Sequence, residues 1–328
     1  MTRLTRNPMK RPDPNRTARR HRLLIAGLVA FLLFDAGLVA IALNENRPTM
    51  SPMVEPAETS MPSVSPTPSV EPTPSVEPVE TPPAVVPTRI LTALNGELAW
   101  RATTGACPDT EARPEITTDA GATWTATNAT RPTGVVALQS ISITGSEVAS
   151  MIGLTREDCS PAYIRTYVAG DNYEEYPPEL PSAWFVNPAN RATVHSPEGD
   201  FVAPCTVIAL AARDDNSAAV LCDDHTVRTT TNAAEAWSEG LAVPGAINLA
   251  RSSSGYVLAA VGAPGCAGVQ VAAVSPDAAA VTPTGCLPTS AAIETITGNL
   301  ALSEAGGTLW IWAGDELRRS GDGGVTWL

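Results

Sequence analysis

Residues 320–328 read "SGDGGVTWL", and residues 117–124 read "TTDAGATW". Both follow the pattern Ser/Thr-x-Asp-x-Gly-x-Thr-Trp, with anchors at Asp322 and Asp119. The residue types specify a turn. An Asp side chain accepts hydrogen bonds from backbone N–H groups just after it, and a hydroxyl two residues earlier adds another link. Gly121 and Gly324 supply the positive φ that a tight turn needs. Trp124 and Trp327 then open the following strand and bring one large apolar surface to it. Fainter copies lie between. "SPDAAAVT" at 275–282 keeps Asp277, "TTNAAEAW" at 230–237 keeps Trp237 with Asn232 at the acid position, and "AGDNYEEY" at 169–176 keeps Asp171. The faint copies lack glycine, as at Tyr173, Ala234 and Ala279, so their turns are expected to be built differently.

Short runs rich in Val, Ile, Thr and aromatics precede each anchor: "EVASMIGL" and "YIRTYVA" before Asp171, "SAAVLC" and "TVRTTT" before Asn232, "YVLAAVG" and "GVQVAAV" before Asp277, "TLWIWAG" and "ELRRS" before Asp322. Such runs between Gly, Asp, Asn and Pro read as strands. Three strands, an Asp turn and a fourth strand in about 45 residues form one blade of a propeller. The expectation is all-β: about five four-stranded blades over residues 89–328. Only Leu328 follows Trp327, so "RILTAL" at 89–94 is expected to complete the last blade and close the ring.

This pattern resembles the Asp-box (BNR) repeat of sialidase, sortilin-type and photosystem-assembly-factor propellers. The resemblance implies a structural role for Asp119, Gly121, Trp124, Asp171, Asn232, Trp237, Asp277, Asp322, Gly324 and Trp327. It also raises an alternative function, a sialidase-like glycoside hydrolase. That family's Phe/Tyr-Arg-Ile-Pro motif has no counterpart beyond "TRIL" at 88–91, which reads better as strand. No residue is assigned a catalytic role, and a binding or scaffold module is the leading expectation.

The N-terminal third has a different character. Residues 1–22 carry seven Arg and Lys10 against Asp13. Residues 23–43, "LLIAGLVAFLLFDAGLVAIAL", would span about 31 Å as a helix, enough for a bilayer core. Basic residues before the run place the head in the cytoplasm and the remainder outside, as a single-pass plasma-membrane protein. A cleaved signal peptide is the alternative, with Ala40-Ile41-Ala42 as the small-residue site. Asp35 within the run either pairs with another helix or is tolerated locally. Residues 44–88 repeat Pro-Ser-Val-Glu-Pro and read as a disordered, extended stalk, at ~3.1 Å per residue.

From residue 97 onward, 26 Asp plus Glu stand against 11 Arg and no Lys, an excess of 15 negative charges. Nucleic acid is a poor partner for that balance. Cys107, Cys159, Cys205, Cys222, Cys266 and Cys286 all follow the apolar run, and an even number in an exported domain implies disulfides. Six cysteines allow fifteen connectivities. Cys266 and Cys286 flank the turn at Pro276, Cys205 and Cys222 flank "RDDN" at 213–216, and Cys107 and Cys159 each lie twelve residues before an anchor. Those symmetries favour 266–286 and 205–222 and leave 107–159, whose equivalent places in adjacent blades can lie farther apart than the ~4.4–6.8 Å between Cα atoms that a disulfide spans. His195 and His225 stand apart from other metal-ligating residues, so neither metal nor cofactor is expected. The stretch 173–201 gathers aromatics and acids, and Tyr173, Trp184 and His195 are candidate ligand-binding residues for a protein or carbohydrate of the cell envelope. Trp184 also reads as core of an enlarged blade edge.

Overall fold

The computed structural model describes residues 85–328. The basic head, the apolar run and the stalk up to residue 84 lie outside the described residues.

Six antiparallel sheets follow one another along the chain, each a simple meander. The first contains β1 (Arg89–Ala93), β2 (Ala99–Thr103), β3 (Glu115–Thr117) and β4 (Thr125–Ala126). The second contains β5 (Val135–Ile143), β6 (Ala149–Thr155), β7 (Pro161–Thr166) and β8 (Glu174–Glu175). The third has only β9 (Phe185–Val186), β10 (Thr193–Ser196) and β11 (Gly199–Val202). The fourth is β12 (Val207–Ala212), β13 (Ala218–Cys222), β14 (Thr226–Thr230) and β15 (Leu241–Ala242); the fifth is β16 (Ala246–Ser252), β17 (Gly255–Val261), β18 (Gly268–Val274) and β19 (Val281–Pro288). The sixth comprises β20 (Leu300–Ala305), β21 (Thr308–Ala313) and β22 (Glu316–Ser320).

These are the blades of a six-bladed propeller, one more than the repeat count predicts. The additional blade is the third, inside the 61-residue gap between Asp171 and Asn232. It escapes the repeat because its turn is a two-residue hairpin, Ser196 pairing with Gly199 across Pro197 and Glu198, without Asp or Trp. It is also incomplete. Trp184, just before β9, donates to the Asp214 carbonyl in the β12–β13 turn, whereas Arg191, just after β9, reaches the Val207 and Ile208 carbonyls where β12 begins. β9 therefore runs in the direction of a second strand, and the three strands take the second to fourth places.

A meander puts its first and third turns at one end of the sheet and its second turn at the other. Every Asp turn thus shares a face, here the turn face, with the turns between first and second strands. The opposite, entry face receives the chain: Thr88 N–H and Oγ1 both donate to the Gly298 carbonyl, just before β20. The three disulfides are Cys107–Cys159, Cys205–Cys222 and Cys266–Cys286, with Cα separations of 6.0, 5.6 and 5.7 Å, the pairs expected from the sequence. All lie towards the entry face. The first joins blade 1 to blade 2.

Ring closure differs from the expectation. The strand within "RILTAL" pairs with β2, Arg89 opposite Thr103 through Ala93 opposite Ala99, and is the innermost strand of blade 1. In the last blade, Leu328 bonds Arg319 through its N–H and carbonyl, in the place of a fourth strand. Fourth strands are only two residues long in blades 1, 2 and 4. Closure is made by packing of faces: Leu91, Ala93 and Ala99 of blade 1 bury against Ala301, Trp310 and Trp312 of blade 6. Fully burying a side chain the size of Leu91 stabilises by about 1.5–3 kcal/mol, and the two tryptophans bury larger areas, which lets the ring close without a shared strand.

Candidate functional site

The turns decide which blade faces are covered. At Asp119, Oδ1 accepts from the Thr117 hydroxyl (2.8 Å) and Thr123 N–H (2.9 Å), and Oδ2 accepts from the Thr123 hydroxyl (2.6 Å). Asp322 repeats this with Ser320 and Thr326 at 2.7, 2.8 and 2.6 Å. These donors hold both carboxyls down at about 2, the threonine hydroxyl contributing most. The Thr117 and Ser320 hydroxyls also accept from Gly121 and Gly324 N–H. Two successive left-handed residues make the bend: Ala120 and Gly121 at φ 64° and 83°, Gly323 and Gly324 at 72° and 97°.

The Asn232 turn has the same construction despite lacking glycine. Ala233 and Ala234 are left-handed at φ 54° and 74°, Thr230 Oγ1 accepts from Ala234 N–H, and Asn232 Oδ1 accepts from Ala236 N–H. The remaining two turns depart from the expected register. In blade 2 the hydroxyl of the pattern is Thr166, which accepts from Gly170 N–H, with Ala169 and Gly170 left-handed. The pattern there is "TYVAGDNY" at 166–173: Val168 occupies the acid position, Tyr173 the Trp position, and Asp171 falls three residues beyond its assigned place. Aligning on aspartate hid this, because the backbone bend depends on Thr166 and Gly170 and survives without the carboxylate. At Asp277 only Ala278 is left-handed, and the Ser275 hydroxyl accepts from Ala280, five residues on.

Each aromatic of these turns packs on the preceding blade. Trp124 joins the cluster of Trp310 and Leu317 of blade 6. Tyr173, 2% exposed, bonds Thr127 (2.6 Å) and packs in the blade 1 cluster with Trp100. Burial raises its phenol to about 12. Trp237 packs on Val186 and Val194 of blade 3. Trp327 donates to the Cys286 carbonyl of blade 5 (2.9 Å).

The candidate ligand residues named from sequence do not converge. Tyr173 fills the seam between blades 1 and 2. Trp184 packs in the cluster beneath blades 3 and 4. His195 stacks on Phe185 at 4.4 Å between ring centroids and bonds Asp200 (2.7 Å) and the Pro181 carbonyl (3.3 Å). All three have structural partners.

What the sequence reading missed lies one strand earlier. The turn of blade 3 brings no aromatic, so the face of blade 2 that should receive one is covered only in part, by the 3-10 turn Pro177–Ser182, and stays open at Tyr167. On it, alternate residues of β7 and its extension, Tyr163, Arg165 and Tyr167, line up beside Glu174 and Tyr176 across the β7–β8 pair. Arg165 donates to Tyr163 Oη (2.8 Å) and Tyr167 Oη (3.1 Å) and lies 3.8 Å from Glu179. Its guanidinium is 5.4–5.8 Å from the centroids of Tyr163, Tyr167 and Tyr176, within cation–π range. These bonds lower the Tyr167 phenol and raise the already high Arg165. Tyr167 and Val168 are 48% and 45% exposed at the turn face. The alternation Tyr-x-Arg-x-Tyr was legible in "YIRTY", but nothing in the sequence shows that the next blade leaves it open at Tyr167.

No protein-family model matches the sequence, nor does any curated protein. The fold is similar to solved structures titled YCF48 bound to D1 peptide (14% identity, TM-score 0.28, covering 78% of this chain and 85% of that one) and YCF48 from Cyanidioschyzon merolae (14%, 0.30, 76% and 86%). It is also similar to the GH74 xyloglucanase from Xanthomonas campestris (13%, 0.30, 73% and 37%). The chain spans about a third of that enzyme's length.

Proposed function

We propose that this protein is a membrane-anchored propeller of the Asp-box kind, held outside the cell on a proline-rich stalk, where it acts as a binding or scaffold module. The observation that carries the binding role is the tyrosine–arginine face of blade 2, half-buried at Tyr163 and Arg165 and open at Tyr167 and Val168. Aromatic side chains held by an arginine offer rigid contact area at small entropic cost, a chemistry enriched in protein interfaces. The three disulfides support an oxidising compartment, and the apolar run behind a basic head supports a single anchor. The described chain enters at the face bearing the disulfides, while Tyr167 and Val168 lie at the opposite face.

Two measurements test this. Protease added to intact, wall-stripped cells should remove the propeller and spare the basic head; a protected propeller would refute the topology. Full-length protein carrying Tyr167→Ala and Val168→Asp should lose retention on isolated envelope material while melting like the parent. Unchanged retention would remove the patch from the function.

A further inference from the structure

A second feature opens on the turn face, at the seam between blades 5 and 6. There the ring is held by backbone contact: a Cβ on Gly285 would lie 1.9 Å from the Gly324 carbonyl oxygen. Beside this contact, small residues leave a cavity of about 200 Å³. Val257, Val271 and Leu309, all buried, form its apolar walls, with Ala273 beside them. Glu304 and the serines of the β16–β17 turn stand at its polar edge. An apolar cavity of about 150 Å³ accepts a benzene ring, so this one has room for a ring with a short substituent.

Glu304 decides what that substituent is. Its Oε2 accepts from Ser253 N–H at 2.6 Å, which fixes the carboxylate across the seam. Among the described residues no Arg or His forms an ion pair with it, and Oε1 has no hydrogen-bond donor. An ionised carboxylate held by a backbone N–H, open on one side and set against an apolar slot, is complementary to an ammonium on a compact apolar body. The acidic excess of the domain draws cations to its surface. We infer that this slot binds a primary amine on a small apolar group, the ring or alkyl part entering between the blades and the ammonium pairing with Glu304. The site is independent of the blade 2 patch.

The test uses the full chain with benzylamine, benzyl alcohol and benzoate as probes, followed by calorimetry at low salt. Benzylamine is expected to bind with a Kd on the order of a millimolar or tighter. The alcohol should bind roughly ten-fold more weakly or worse, as loss of a charge-assisted hydrogen bond predicts, and benzoate should not bind. Glu304→Gln should bring benzylamine to the alcohol's level, and Ala273→Leu should block both. Glu304→Gln lies at the edge of the slot and leaves the walls intact, so it decides the matter even if Ala273→Leu misfolds. No benzylamine binding, or binding that Glu304→Gln leaves unchanged, would overturn the assignment.

Discussion

At the scale of single residues, the Asp turns make stability depend on pH in a defined window. Asp119 and Asp322 are held at about 2 in the folded chain, below the ~3.9 of an unfolded chain. A depressed folded value means that the contribution is fully present above about pH 4 and is lost as pH falls towards 2. Asn232 shows that an amide maintains the same turn. The Asp119→Asn, Asp322→Asn double variant should therefore fold, and its melting temperature should fall less steeply than the parent's between pH 4 and 2. Equal slopes in thermal melts would disprove the linkage. Gly285 makes a second prediction. Gly285→Ala forces its methyl onto the Gly324 carbonyl and should cost about 2–3 kcal/mol in denaturant unfolding. Gly145→Ala meets only Val148, at 3.9 Å, and should be nearly neutral.

At the scale of elements, each blade is finished by its neighbour. Tyrosines in blade 2 show how the same residue type serves both roles. Tyr173→Ala removes a buried ring from the seam and should cost about 3–5 kcal/mol. Tyr173→Phe loses only the bond to Thr127 and should cost about 0.5–1.5 kcal/mol. Tyr167→Ala, at the open part of the blade 2 face, should lie within ~0.5 kcal/mol of the parent. Denaturant titration of the three variants orders them; a costly Tyr167→Ala would make the patch structural.

For the whole molecule, the Cys107–Cys159 bridge is the covalent link between blades and encloses 52 residues, against 17 and 20 for the other two. In the chain-entropy model its loss costs about 4 kcal/mol, against about 3 for either shorter loop. Paired Cys→Ser variants should therefore rank with the 107–159 pair least stable, as read by thermal melts without reductant. The seam between blades 1 and 6 has no such bridge. It depends on Trp310 and Trp312, with Trp312 lying against Arg89 and Arg101 at 4.2 and 4.7 Å.

The repeat in the sequence determined the all-β propeller and the turns at Asp119, Asn232 and Asp322, and cysteines flanking single turns determined the 205–222 and 266–286 bridges. The twelve-residue spacing behind 107–159 counted from Asp171, which is not the acid position of its turn. Those turns are local matters: a turn needs its hydroxyl, its acceptor and its left-handed residues within eight positions, so the chain carries the whole pattern. Only tertiary structure decided the blade count, because blade 3 folds with a two-residue hairpin and without the residues that mark the others. It likewise decided the register of blade 2, where Thr166 and Gly170 make the bend without an aspartate. The place of "RILTAL" follows from β2 lying six residues further on, which makes hairpin pairing simpler than closure across the ring. The Tyr163–Arg165–Tyr167 face, open at Tyr167, was beyond reach for the same reason as blade 3 itself: which face is covered depends on a neighbour's missing turn aromatic, and a strand does not record what its neighbour lacks.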